Sequence, residues 1–66
     1  MTQNLTDQEY LAAIDAEALR RGYISDGESL VAQTGSAPWL EAWQDDPTLT
    51  PEEQVSEEII AAQQML

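Results

Sequence analysis

The chain has no cysteine, no histidine, no lysine and no phenylalanine. Without cysteine there is no disulfide to staple a small fold and no hint of a redox compartment. Without cysteine and histidine, a structural metal loses its usual ligands. The same gaps weigh against catalysis. Histidine is the commonest general acid–base, and cysteine and lysine are the most readily activated nucleophiles. Positive charge is nearly missing too: the only cations are the adjacent Arg20 and Arg21, and nothing basic follows them. No apolar run approaches the roughly 20 residues that cross a bilayer. The first residues lack the basic stretch and apolar core of a signal peptide, so cytoplasm is the expected location.

Negative charge is what the chain has in excess. Thirteen acidic residues give a net charge of -11 on 66 residues. Solubility needs far less. Such a balance concerns what a protein binds more than how it folds. Free nucleic acid and anionic lipid are repelled, so neither direct nucleic-acid binding nor membrane binding is expected. A protein with a basic surface is the natural partner.

A single small domain, residues 1–66, is all this length supports. Its pattern is all-α, a small helical bundle. Met1 to Asn4 reads as a frayed start. Thr6-Asp7-Gln8-Glu9 has the form of a capping box, with Leu5 and Tyr10 placed as a hydrophobic staple. Tyr10, Leu11, Ile14 and Ala18 recur at helical spacing, and Gly22 is a stop, giving a helix over 7–21. Glu17 and Arg21 form a favourable i,i+4 pair, and both arginines suit the negative end of the helix dipole. Ser25-Asp26-Gly27-Glu28 repeats the capping pattern and predicts a short helix over about 26–34 that buries Leu30 and Val31. Ser36-Ala37-Pro38 opens a third, over about 38–44, with Trp39, Leu40 and Trp43 on one side and Glu41 opposite. Thr50-Pro51-Glu52-Glu53 is the strongest start signal, and a helix over about 51–65 follows. There Val55, Ile59, Ala62 and Leu66 form the apolar stripe. Glu53, Glu57 and Gln64 lie on the far side, with Ile60 among them. The two terminal helices are expected to pack as an antiparallel pair, with the tryptophans plugging one end.

Chemistry finds little support in this pattern. Thr6, Ser25, Ser36 and Thr50 each have a capping role, and so short a chain barely encloses a pocket. An enzyme is not expected. Asp45-Asp46 with Glu41 offers oxygen ligands, but the Asp-x-Asp-x-Asp-Gly loop of an EF-hand is missing. Acidic residues at a helix end and a turn are the simpler reading, and no metal or cofactor is expected.

Binding fits better. Glu41, Asp45, Asp46, Glu52, Glu53, Glu57 and Glu58 form a run of seven carboxylates with no neutralising partner in sequence. Glu53 and Glu57 rise about 6 Å apart along a helix, close to phosphate spacing on a strand. Trp39 and Trp43 suit either the core or an exposed hot spot. Ile60 suits a contact with another helix of the chain or with a partner. Two functions of different classes follow. The first is a small inhibitor that docks on a basic groove of a nucleic-acid-binding protein or complex and excludes DNA or RNA. In size and charge alone the chain is similar to the small acidic antagonists of phages and mobile elements, the anti-CRISPR and anti-restriction proteins that mimic nucleic acid. The second is a non-inhibitory interaction module that associates through apolar helix faces: a homodimer, an antitoxin-like partner or a small subunit. Crowded carboxylates also predict that mild acidification and added salt stabilise the fold.

Overall fold

The computed structural model describes residues 5–64. The expected fraying of Met1 to Asn4, the expected helical end at Met65 and the expected place of Leu66 in the apolar stripe lie outside the described residues. Among those described there are four helices and no strand: α1 (Asp7–Arg20), α2 (Leu30–Thr34), α3 (Ala37–Asp45) and α4 (Pro51–Gln64). None of these four helices is long and apolar enough to cross a membrane.

Both long helices start where their capping boxes place them. The Glu9 amide donates to the Thr6 hydroxyl at 3.1 Å and the Thr6 amide donates to the Glu9 carboxylate at 2.9 Å. Thr50 and Glu53 repeat the exchange at 3.0 and 3.2 Å. Each box satisfies two amides that would otherwise lack intrahelical partners. α1 ends in a Schellman motif. The Tyr23 amide donates to the Ala18 carbonyl and the Gly22 amide to the Leu19 carbonyl. Gly22 takes φ 76°, which glycine adopts without steric cost.

α2 begins four residues later than its capping pattern predicts. The Ser25 amide does donate to the Glu28 carboxylate, at 2.5 Å. Gly27, however, sits at φ 88°, in the left-handed region, so the segment closes as a turn rather than a first helical turn. Ser29 then caps α2, its hydroxyl accepting from the Ala32 amide at 3.0 Å. Asp15 of α1 completes the job from outside the segment. Its carboxylate accepts from the Ser29 hydroxyl at 2.6 Å and from the Val31 amide at 3.0 Å. A carboxylate there also suits the positive end of the helix. Ser36 precedes α3 without a side-chain cap, and Pro38 in the first turn leaves one fewer amide to satisfy.

The core consists of Tyr10, Ile14, Ala18, Ile24, Leu30, Trp39 and Val55, with Leu5, Leu11, Val31, Trp43 and Ile59 packed against it. α1 lies at the centre and touches each of the other helices. Its relation to α4 differs from a side-by-side antiparallel pair. Tyr10, near the start of α1, is bonded to Leu49 and Gln54, while Arg21, just past its end, reaches the Glu52 carbonyl. Those two α1 positions are about 16 Å apart along the axis. Their partners fall within the first turn of α4 and the residues leading into it. The helices therefore cross, with the first turns of α4 over the middle of α1.

Gln54 ties three helices at this crossing. It is buried, and its Nε2 donates to the Tyr10 hydroxyl at 2.7 Å and to the Trp39 carbonyl at 3.0 Å. The Tyr10 hydroxyl donates onward to the Leu49 carbonyl at 3.2 Å. Burial pushes the Tyr10 phenol above its usual pKa, and the nearby Glu53 and Glu52 push the same way, so it stays a donor. Trp43 stacks on the Tyr10 ring with centroids 4.1 Å apart and planes 8° from parallel.

Candidate functional site: the acidic surface of α3 and α4

Both cations of the chain are engaged at one carboxylate. Glu17, buried on α1, accepts from Arg20 Nε at 2.9 Å and Nη2 at 2.5 Å, and from Arg21 Nε. These charge-assisted bonds hold the Glu17 carboxyl down at about 2. The expected Glu17–Arg21 pair is thus present, with Arg20 joining it. Glu17 removes one of thirteen carboxylates, leaving twelve with no ion-pair partner among the described residues.

Those twelve are not equivalent. Glu9, Asp15, Glu28, Asp46 and Glu53 each accept hydrogen bonds that shape the fold. Asp46, for example, accepts from the Thr48 amide at 3.1 Å and its hydroxyl at 2.6 Å. Glu53 belongs to the α4 capping box and also accepts from the Thr50 hydroxyl. Of the seven carboxylates of the α3–α4 run, Asp46 and Glu53 therefore have structural work. The side chains of Glu41, Asp45, Glu52, Glu57 and Glu58 make no hydrogen bond or ion pair within the described residues.

The structure places these five in two groups. Glu41 and Asp45 sit one turn apart on the exposed side of α3. The α4 group surrounds two depressions. One, of about 380 Å³, is lined by Arg21, Glu52, Glu53, Ser56 and Glu57. The other, of about 340 Å³, lies between α3 and α4 and is lined by Thr34, Pro38, Trp39, Gln54, Glu57 and Glu58. Glu57 lines both, so it stands on the ridge between them. Glu41 and Asp45 line neither.

Ile60 is the most exposed large apolar side chain among those described, at 52%. It lies on the outward face of α4 with Glu53, Glu57 and Gln64, as the helical spacing predicts. The tryptophans have different surroundings. Trp39 is buried, and its Nε1 donates to the Thr34 hydroxyl at 2.7 Å. Trp43 is half-buried against Tyr10. Of the two roles weighed for them, both take the core position, because the stack and the indole hydrogen bond give them intramolecular partners. Trp39 still borders the surface as a wall of the α3–α4 cleft. Gln54 was missed by sequence reasoning. A helical wheel could have found it, since it shares the inward side of α4 with Pro51, Val55 and Glu58.

Neither a protein-family model, nor a curated protein, nor a solved structure matches this chain.

Proposed function

We propose that the protein is a small acidic inhibitor that docks on a basic surface of a nucleic-acid-binding protein or complex and competes there with DNA or RNA. One observation carries this reading. Both cations are consumed internally at Glu17, while Glu41, Asp45, Glu52, Glu57 and Glu58 have no intramolecular partner among the described residues. Like charges left unpaired on a small domain cost stability. A complementary basic surface would turn that cost into attraction and speed the encounter. Size and charge are those of phage-borne anti-CRISPR and anti-restriction proteins, and that comparison supplies the partner class by analogy only. The interaction-module reading has less to draw on. Val55 and Trp39, which it needs at an interface, are buried, and Ile59 and Trp43 pack against the core.

The test is capture from the native host at low salt, elution by a salt gradient, and identification of what elutes. A nucleic-acid-binding protein whose DNA or RNA this chain displaces supports the reading. A partner that holds the chain and its nucleic acid together, or that elutes only in detergent, overturns it.

A further inference from the structure

Asp26 and Gly27 form the tip of the turn between α1 and α2, and both are exposed. The turn is closed from its flanks. The Glu28 amide donates to the Ser25 carbonyl at 3.0 Å, and the Ser25 amide donates to the Glu28 carboxylate at 2.5 Å. The tip itself is untied. Neither the Asp26 carboxylate nor the Gly27 amide makes a hydrogen bond among the described residues. Gly27 has no side chain, and nothing lies within 4 Å of where a Cβ would stand. A carboxyl group and an unbonded amide nitrogen are thus neighbours along the chain, with no bulk around them.

That juxtaposition has a definite chemistry. The Gly27 nitrogen can attack Cγ of the Asp26 carboxyl in its acid form and close a succinimide ring. A C–N bond forms, an N–H and a C–O bond break, and one water leaves. Water then reopens the ring. Attack at Cγ restores aspartate. Attack at the backbone carbonyl carbon of Asp26 breaks its bond to the Gly27 nitrogen and leaves the chain running through Cβ and Cγ, as isoaspartate. No electrons are transferred and the mass is unchanged. Ring closure needs the Asp26 backbone to rotate, which an exposed turn allows and a helix resists. The other aspartates are worse placed. Asp7, Asp15 and Asp45 are helical, and the Asp15 carboxylate is also held by Ser29 and Val31. Asp46 precedes Pro47, whose nitrogen has no hydrogen to lose. We propose that Asp26 is the site at which this chain modifies itself, by isomerisation to isoaspartate through a succinimide with Gly27.

The product keeps one carboxylate, so the net charge of the chain is unchanged. The backbone gains one carbon, about 1.5 Å of bond, three residues before Ser29. α2 has only five residues, and Asp15 ties it to α1 through Ser29 and Val31. The longer path loosens α2 and leaves α4 alone. This inference is independent of the docking reading.

The test incubates the full chain at neutral pH and physiological temperature beside a capped peptide spanning residues 23–29. Isoaspartate is located by proteolysis and mass spectrometry with electron-based fragmentation. It is expected at Asp26 ahead of every other aspartate, at a rate within about tenfold of the peptide's, because exposed turns open at little cost. Once separated, the isoaspartate form should exchange its α2 amides at least about threefold faster than the parent, with α4 unchanged. Asp26→Glu, whose longer side chain must close a larger ring, should accumulate no isomer and keep its α2 protection through the same incubation. A folded chain more than about tenfold slower than the peptide, or isomer appearing first at Asp7, Asp15, Asp45 or Asp46, would overturn the proposal. So would α2 protection lost equally in the Asp26→Glu chain.

Discussion

Replacing Gln54 with leucine should weaken the whole fold, because that side chain joins α1, α3 and α4. The substitution keeps the volume nearly constant and deletes two hydrogen bonds, to the Tyr10 hydroxyl at 2.7 Å and the Trp39 carbonyl at 3.0 Å. Each is worth about 0.5–1.5 kcal/mol net. The Trp39 carbonyl remains within a helix and the Tyr10 hydroxyl still donates to Leu49, so neither group is left bare. A loss of about 1–2 kcal/mol follows. In a domain of this size that is a fall in melting temperature of roughly 5–15 °C. Tyr10→Phe removes the shared hydroxyl from the other side. A double-mutant cycle between the two positions, read by urea unfolding, should return a coupling of about 0.5–1.5 kcal/mol. The indole stack on the Tyr10 ring is retained in both variants, so it cancels from the cycle. A Gln54→Leu protein that melts within about 2 °C of the parent, or a coupling near zero, would refute the idea that this residue braces the crossing.

Other expectations are more local. Asp15→Ala should cost about 1–2 kcal/mol and raise hydrogen exchange in α2 more than in α4, since it removes the bonds to Ser29 and Val31 that hold the short helix in place. The pH profile should have an acid limb set by Glu17. Glu17 is lowered from an ordinary 4.5 to about 2 by Arg20 and Arg21, so its contribution is complete above 4.5 and is lost as pH falls towards 2. Glu17 adds no slope between pH 7 and 5. Glu17→Gln should flatten the acid limb, and an acid limb unchanged in that variant would contradict this account. Glu53→Lys should destabilise by about 1 kcal/mol through loss of its capping bonds, whereas Glu57→Lys should be neutral or stabilising in thermal melts.

The fold was legible wherever a helix carried its own start signal. Thr6 with Glu9 and Thr50 with Glu53 fixed the starts of α1 and α4 because both partners of each cap lie within four residues. α2 was harder because its stabilising carboxylate, Asp15, is supplied across a turn of the chain, and because Gly27 used its conformational freedom against the local capping pattern. The crossing of α1 and α4 depends on where Tyr10 and Arg21 find partners, which periodicity does not encode. The acidic surface was visible as composition, but its division was not. Asp46 and Glu53 resemble Glu41 and Glu57 in sequence and differ only in the hydrogen bonds that the folded loop and cap impose. Gln54 was hidden because a polar letter in an apolar stripe reads as an interruption, although its burial makes it a joint.

The most direct measurement of the central claim compares capture by the parent with capture by one variant that neutralises the unpaired carboxylates of α3 and α4: Glu41, Glu52, Glu57 and Glu58 to Gln, and Asp45 to Asn. These side chains make no hydrogen bond or ion pair among the described residues, so the variant should fold, with loss of the Glu52 charge from the first turn of α4 costing at most about 1 kcal/mol. The account predicts that it loses the basic partner at every salt concentration at which the parent retains it. A variant that folds and still captures the same partner as tightly would contradict it.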